Sequence, residues 1–251
     1  MEFGYFDPES REYVILRPDT PLPWINYLGC EEYCGLISNT GGGYSFYKDP
    51  RERRITRYRY NNIPTDSNGR YIYMRDNKTD DFWSPTWQPV MKTLETYECR
   101  HGLGYTKITS SYNGIKTAIT YFVPLSETLE VWMLEVKNES KKIRDLTAFS
   151  FIEFCLWDAL NDMIDYQYNL NIGETAYKDG VIYHLSRYRV EEKYFAYFAC
   201  TNSKVAGFDT QRRDFLSNYG SLASSATVVS NNCKNSIACG WSPCAVHAVP
   251  I

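Results

Sequence analysis

The sequence lacks long apolar runs: its longest stretches, such as Phe195–Ala199, fall far short of the about 20 residues that cross a bilayer. It also lacks a basic, apolar leader ahead of a small-residue cleavage site, since it begins MEFGYFDPESREYV. Charge of one sign is not in excess, because 27 basic and 30 acidic residues give a net charge of −3. These absences predict a cytoplasmic protein with no nucleic-acid and no membrane partner.

Histidine is scarce, and none of His101, His184 and His247 adjoins a nucleophile motif. The eight cysteines lack the close C-x2-C spacing of zinc sites, and a chain of this length without an export signal needs no disulfide framework. We therefore expect reduced thiols, no structural metal and no cofactor. Cys155 and Cys200 lie in apolar, strand-like runs and are predicted to be small buried hydrophobes.

Aromatic residues are abundant: 22 Tyr, 12 Phe and 6 Trp make up 16% of the chain. Such rings suit the half-wet surface of a sheet, which explains most of them, and they also stack on sugar faces. Trp83 and Trp87 flank Pro85, which predicts an irregular loop rather than a helix. These two rings are predicted to cap the edge of a sandwich, or alternatively to form a sugar-stacking platform.

Period-2 patterns and hairpin turns recur along the chain, whereas helical periodicity is scarce. The dipeptides Asn113-Gly114 and Asp179-Gly180 each separate two alternating runs, which predicts two hairpins with type I′ turns. Further strands are predicted at LEVWMLEV, which starts at Leu129, and at Leu146–Leu156.

Strands that follow one another without intervening helices form antiparallel sheets, and so many strands need two sheets face to face. The sequence therefore predicts an all-β fold, a large antiparallel two-sheet sandwich that forms one domain over residues 1–251. The polar stretch Ser221–Ser236 is predicted to be a loop. Because ACGWSPCAVHAVPI ends in an apolar run without a charged tail, we expect a fragment truncated at its C-terminus.

Two short segments resemble ligand motifs and are better explained as structure. The run Asn39–Gly43 lacks the Lys-Ser/Thr ending of a P-loop, so a tight turn before the strand YSFYKD is favoured over a phosphate cradle. The segment RERRITRYRYNN, from Arg51, alternates cations and rings as nucleic-acid platforms do. The same alternation is typical of a strand with one wet face, which the net acidic charge favours.

Acidic residues are densest in FIEFCLWDALNDMIDYQY, which contains Glu153, Asp158, Asp162 and Asp165. The last three are spaced i, i+4, i+7, so one short helical turn would place them on a common face. They are predicted to be the solvated side of a connecting segment, or alternatively to line a polar cleft. Nothing in their spacing identifies a catalytic acid.

Several long motifs occur in one order: GYFD, REYVI, PWINYLG, GGYSFYKDPRERRITRYRYNN, DFWSPTWQPV, YECRHGLGYT, FSFIEFCLWDA, GFDTQRRDFL and ACGWSP. Together they resemble the N-terminal region of the disaccharide phosphorylases of glycoside hydrolase family 94, cellobiose phosphorylase and its relatives. The resemblance covers nearly the whole chain. It implies an N-terminal β-supersandwich, followed by a helical linker, an (α/α)6 barrel with the catalytic machinery and a small β domain. The linker, the barrel and the small β domain are expected to be absent here.

The resemblance implies inverting phosphorolysis of a β-glucoside, in which inorganic phosphate is the co-substrate and α-glucose 1-phosphate and a shorter sugar are the products. In the family, the Asp that donates the proton lies in the barrel. No residue of this chain corresponds to it, so no catalytic residue is predicted and the chain is expected to be inactive alone.

The resemblance also implies that the segment after FCLW reaches the active-site rim of a neighbouring subunit in a homodimer, near the acceptor sugar. Asp158, Asp165, Gln167 and Tyr168 are therefore candidate acceptor contacts. Cellobiose phosphorylases tend to have Asn at the first two places and Arg at the place of Tyr168, and loss of that cation predicts a different acceptor preference. Cellobiose is the first substrate expected, with laminaribiose or another β-linked glucoside left open.

A second hypothesis comes from a different class of protein. The chain is then a stand-alone carbohydrate-binding β-sandwich, whose exposed Trp and Tyr residues hold glucans without chemistry.

Overall fold

The structure is a computed structural model that describes residues 2–59, 63, 65–165, 173–187, 194–240 and 242–251. The chain divides into two compact units, and each of them is assembled from three separate segments. The segments of the first unit are Met1–Lys48, Tyr58–Tyr71 and Trp83–Arg144. Those of the second unit are Asp49–Arg57, Ile72–Phe82 and Asp145–Ile251.

Strands dominate the described residues, and the helices are short. The strands are β1 Gly4–Asp7, β2 Glu12–Ile15, β3 Ile25–Cys30, β4 Tyr33–Ser38, β5 Gly43–Tyr47, β6 Arg54–Thr56, β7 Tyr71–Asp76, β8 Phe82–Trp83, β9 Thr96–Gly102, β10 Tyr105–Tyr112, β11 Ile115–Phe122, β12 Val131–Asn138, β13 Leu146–Trp157, β14 Gly173–Lys178, β15 Val181–Ser186, β16 Tyr194–Ala199, β17 Gly207–Gln211 and β18 Pro243–Pro250. The helices are α1 Ala159–Ile164, α2 Arg212–Leu216 and α3 Ala226–Ser230.

The first unit contains a six-stranded antiparallel sheet in the order β1-β2-β9-β10-β11-β12. Its inner face is apolar because the period-2 alternation of the strands places Cys99, Ile108 and Ile119 in register across β9, β10 and β11. All three side chains are 0% exposed. A second antiparallel layer is formed by β3, β4 and β5. Asn26 on β3 joins the layers by donating from Nδ2 to the carbonyl oxygens of Gly102 and Tyr105, at 2.9 Å each.

A buried ion pair lies in the first unit. Arg70, which is 1% exposed, donates from Nε to Glu130 Oε1 at 2.5 Å and from Nη2 to Oε2 at 3.0 Å. Its remaining donors reach the carbonyl of Leu36 at 2.8 Å and Ser45 Oγ at 2.6 Å. Because every nitrogen of the guanidinium has an acceptor, the charge is fully compensated although it is out of water.

The second unit is built around β13, which pairs antiparallel with β18 and β6. β17 extends this sheet beyond β18, and β14, β15 and β16 form a separate three-stranded antiparallel sheet. Phe149, Phe151 and Phe154 on β13 are all 0% exposed. A strand buried on both faces is a nearly continuous apolar run in the sequence, which explains why FSFIEFCLW shows little alternation.

The all-β, antiparallel class predicted from the sequence is confirmed. Both predicted hairpins form, with positive φ at Asn113 (48°) and Gly114 (73°) between β10 and β11. The same holds at Asp179 (52°) and Gly180 (82°) between β14 and β15. The predicted strands from Leu129 and at Leu146–Leu156 correspond to β12 and β13.

The prediction of a loop for Ser221–Ser236 is wrong in its centre, where α3 forms. Ser225 begins this helix by accepting from the Val228 N–H, and Val228 itself is 0% exposed. The polar composition thus reflects a capped helix with one buried side rather than a free loop. None of the helices in the described part of the chain has the length and apolar character that crossing a bilayer demands.

Candidate functional site: the end of β13 and its buried charges

The site predicted from the sequence follows the C-terminal end of β13. The strand ends at Trp157, whose φ of 72° is a strained conformation for a bulky residue. The register with β6 shifts between Phe154 and Trp157, so the strand is irregular at this point. The chain then turns directly into α1.

Asp158 begins α1 as its N-cap. Its Oδ1 accepts from the N–H groups of Leu160 at 3.0 Å and Asn161 at 2.9 Å, and its Oδ2 accepts from Asn161 Nδ2 at 3.2 Å. The residue is 5% exposed. A carboxylate at this position satisfies N–H groups that have no partner within the helix.

Asp162 extends from α1 towards the interior of the second unit, where it meets Arg57. The contact is bidentate: Nε donates to Oδ2 at 2.7 Å and Nη2 donates to Oδ1 at 2.5 Å. Nη1 of Arg57 donates to Glu153 Oε1 and to Ser242 Oγ, the latter at 3.2 Å. Arg57, Glu153 and Asp162 are only 4%, 4% and 3% exposed.

A second arginine completes this cluster. Arg212 Nε donates to Glu153 Oε2 at 3.1 Å, and the Arg212 side chain is 41% exposed. The cluster thus holds two cations against two carboxylates. Burial alone would lower the pKa of Arg57, but Glu153 and Asp162 outweigh it, so that the pKa of Arg57 is raised and its charge is retained. Because Glu153 and Asp162 are committed to ion pairs, they serve to fix α1 against β13.

His184 on β15 lies close to this cluster. Its ring stacks on Phe154, with centroids 4.3 Å apart and an interplanar angle of 7°. The side chain is 2% exposed, and its Nε2 has no hydrogen-bond partner among the residues that the structure describes. Burial, with a contribution from the charge of Arg57, lowers the pKa of His184 to about 3.

His184 is expected to make the folded state acid-sensitive. As the pH falls below 6.5, the ordinary pKa of histidine, the unfolded chain takes up a proton that the folded chain binds only near pH 3. The free energy of unfolding therefore falls with decreasing pH, by up to about 1.4 kcal/mol per unit from this residue. The His184→Phe variant keeps the stack on Phe154 and is expected to lose stability less steeply in urea unfolding measured from pH 6.5 downward. Equal slopes for the two proteins would contradict the assignment.

The predicted site residues differ in burial. A short helical turn forms, as predicted, but Asp158 and Asp162 are buried, so the favoured interpretation of a solvated side is wrong for them. Asp165 is exposed and ends α1, with its N–H donating to the Asn161 carbonyl at 2.9 Å. Gln167 and Tyr168 lie outside the described residues.

Trp83 and Trp87 have different environments. Trp83 is 1% exposed and packs against Tyr112 at a centroid distance of 5.1 Å, so it is a core residue and not a sugar platform. Trp87 is partly exposed, with a φ of 69°. The glycine run Gly41–Gly43 forms the predicted tight turn, since Ser38 N–H donates to the Gly42 carbonyl at 2.9 Å.

The described cysteines are free thiols. Cys155 is 2% exposed, as predicted, whereas Cys200 is only partly buried, which corrects the prediction for that residue. Burial raises the pKa of Cys155 well above 9.0, and the charge of Asp162 raises it further. Within the described part of the chain, no three His, Cys, Asp or Glu side chains are grouped closely enough to hold a metal ion.

Sequence reasoning missed Arg57. The residue lies in RERRITRYRYNN, and β6 ends at Thr56, so the strand with a wet face is shorter than predicted and Arg57 is directed inward. A visible signal was the presence of two acidic residues, Glu153 and Asp162, within or directly after a long apolar run. A buried carboxylate requires a cation, but the sequence does not show which of its 27 basic residues supplies it.

Comparison with known proteins agrees with this architecture. The profile of the family described as "Glycosyl hydrolase 94, supersandwich domain" matches residues 11–251. An N,N'-diacetylchitobiose phosphorylase of Vibrio furnissii is 41% identical over 250 residues, which are 98% of this chain and 31% of that protein. The solabiose phosphorylase of Paenibacillus borealis is 33% identical over 244 residues, 94% of this chain and 31% of that protein. The chain thus spans about 31% of the length of these relatives.

Proposed function

Because the chain belongs to the supersandwich-domain family of glycosyl hydrolase 94, we propose that it is the N-terminal β-sandwich part of a longer, inverting disaccharide phosphorylase. The whole protein takes a β-linked disaccharide and inorganic phosphate and releases an α-sugar 1-phosphate and the shorter sugar. Its proton donor lies outside this chain, which is therefore inactive alone. The β-sandwich chain described here contributes to a homodimer and to the rim of the acceptor site.

One observation carries the rim assignment: α1 is fixed at its start and at its centre. Asp158 caps its start, and the bidentate pair between Asp162 and Arg57 holds its centre against β13. A short helix of this kind has little stability of its own. The buried contacts therefore supply a rigid base from which the residues after Asp165 are presented, as an acceptor site requires.

The four rim residues divide into two roles under this proposal. Asp158 is a positioning residue, since both oxygens of its carboxylate accept hydrogen bonds within α1. Asp165 is exposed at the end of α1 and is proposed to contact a sugar hydroxyl. Gln167 and Tyr168, outside the described residues, are proposed to contact the acceptor ring.

Tyr168→Arg in the full-length protein is expected to change acceptor selectivity more than the KM for the sugar 1-phosphate. A guanidinium adds a charged donor fork and removes a stacking surface. The measurement is kcat/KM in the synthetic direction with glucose, N-acetylglucosamine and glucuronic acid as acceptors. The variant is expected to shift the ratio of these values by about tenfold, the effect of one charged hydrogen bond.

Asp165→Asn in the same protein is the matched variant, because it removes a charge at the exposed end of α1 without changing size. The 251-residue chain assayed alone is the negative control. Identical acceptor ratios for the unchanged full-length protein, Tyr168→Arg and Asp165→Asn would remove Tyr168 from the rim. Turnover by the isolated chain would overturn the proposal that its proton donor lies elsewhere.

The alternative, a stand-alone carbohydrate-binding sandwich, differs from this proposal in one measurable respect. It requires that the chain binds sugar and that a full-length protein containing it releases no sugar 1-phosphate.

A further inference from the structure

The outer face of the six-stranded sheet in the first unit carries an open cleft with a volume of about 790 Å³. This volume lies within the about 300–1,000 Å³ that is typical of small-ligand sites. Its floor consists of side chains that alternate with the buried residues of β9, β10 and β11. They include Arg100, Tyr105, Lys107, Thr120 and Phe122, and Glu12 on β2 also lines the cleft.

Tyr105 lies flat on the sheet. A Cβ atom added at Gly102 would lie 2.4 Å from Tyr105 Cζ and 2.5 Å from Cε1, so the ring occupies the space that any other side chain at Gly102 would fill. Its hydroxyl reaches across β9 and donates to Glu12 Oε1 at 2.5 Å. Phe122 is the direct register partner of Tyr105 on β11. Directly opposed residues have Cβ atoms about 4.5–5.5 Å apart, so both side chains line the same cleft.

Charged groups border this surface, and their charges nearly balance. Glu12 is 6% exposed and accepts from Arg100 Nη1 at 2.8 Å. Burial would raise the pKa of Glu12, but the hydrogen bonds from Tyr105 and Arg100 outweigh it and lower the pKa. Arg100 also donates to Glu98 Oε1 at 2.7 Å. Within the described residues, the Lys107 ammonium has no hydrogen-bond or ion-pair partner, and it can donate to a ligand.

Two leucines form the walls of the cleft. Leu103, in the β9–β10 turn, is 85% exposed, and Leu125, after β11, is 83% exposed. Flat rings, apolar walls and fixed donors and acceptors are the elements that bind a sugar, whose ring has an apolar face and polar edges. A nucleic acid or a phosphate would need an excess of cations, which Glu12 and Glu98 cancel.

We propose that this cleft binds a neutral, β-linked oligosaccharide, with a sugar face stacked on Tyr105 and Phe122 and hydroxyl groups held by Lys107 and Arg100. β-Linked pyranosides present flat C–H faces, which match the aromatic side chains on neighbouring strands of the cleft floor. The inference goes beyond the proposed function, because it assigns a binding role to the first unit that phosphorolysis does not require.

The test is calorimetric titration of the chain, without phosphate, with cellotetraose, laminaritetraose and tetra-N-acetylchitotetraose. At least one of them is expected to bind, and Phe122→Ala is expected to weaken that binding about tenfold, the effect of one stacked ring. Gly102→Ala is the second variant: its methyl group displaces the Tyr105 ring and is expected to weaken binding although the ring itself is retained. Tyr197→Ala, which removes an exposed ring from the second unit, is the control and is expected to bind normally.

Two results would overturn the assignment: none of the three sugars binds, or Phe122→Ala binds as the unchanged chain does. Sedimentation of the same variants measures their oligomeric state and shows whether a second copy of the chain occupies the cleft. If Phe122→Ala dissociates a dimer and no sugar binds, the cleft is an interface between copies and the assignment is wrong. Because no turnover is measured, the outcome is independent of whether the whole protein is a phosphorylase.

Discussion

Arg57→Met is expected to lower the free energy of unfolding by about 3–5 kcal/mol, the typical effect of removing one partner of a buried ion pair. Methionine fills much of the same volume, so the loss comes from charge and not from a cavity. Without Arg57, Asp162 loses its bidentate ion pair, and Glu153 loses its buried arginine but keeps its contact with the partly exposed Arg212. Urea unfolding followed by circular dichroism measures the difference.

Arg212→Met is the matched control. It removes the other arginine of the cluster, but that side chain is 41% exposed and makes a single ion pair at 3.1 Å with Glu153, so the expected loss is below about 1 kcal/mol. A triple variant, Arg57→Met with Glu153→Leu and Asp162→Leu, is expected to recover most of the stability that Arg57→Met alone loses. In the triple variant no buried charge is left alone. Equal losses for Arg57→Met and Arg212→Met would refute the interpretation.

Gly43→Ala is expected to destabilise the first unit by about 2–5 kcal/mol, from two sources of similar size. Gly43 begins β5 with a φ of +115°, which side chains rarely adopt, and an added Cβ would lie 2.1 Å from the Leu36 carbonyl oxygen. Both atoms belong to paired strands, so neither can move without loss of the β4–β5 ladder. The measurement is again the free energy of unfolding.

Gly104→Ala separates these two sources. Gly104 has a φ of +82°, but no heavy atom lies within 4 Å of an added Cβ. Only backbone strain remains, so the expected loss is about 1–2 kcal/mol. If the two alanine variants lose the same stability, the close approach to Leu36 has no energetic role.

The features that the sequence predicts well depend on neighbouring residues. Asn113-Gly114 and Asp179-Gly180 specify their turns by their own conformational freedom, and both hairpins form as predicted. The error at Ser221–Ser236 arises because the local pattern there is too short to indicate a helix. A five-residue helix with one buried side presents too few apolar residues for a periodic pattern, although Ser225 is a good N-cap.

The features that the sequence does not predict depend on residues far apart in the chain. Arg57 and Asp162 are separated by 105 residues, and nothing in the composition of either segment identifies the partner. The burial of Asp162 is not predicted for the same reason, since an acid without a known cation is expected to face water. The position of the Tyr105 hydroxyl likewise depends on Glu12, which accepts its hydrogen bond from 93 residues away.

The division of the second unit into three chain segments has a consequence during biosynthesis. A ribosome adds about 5–20 residues per second, and Asp162 follows Arg57 by 105 residues, so the arginine emerges about 5–20 s before its carboxylate. During that interval β6 has no β13 to pair with, so the assembly of the second unit waits for the last of its three chain segments.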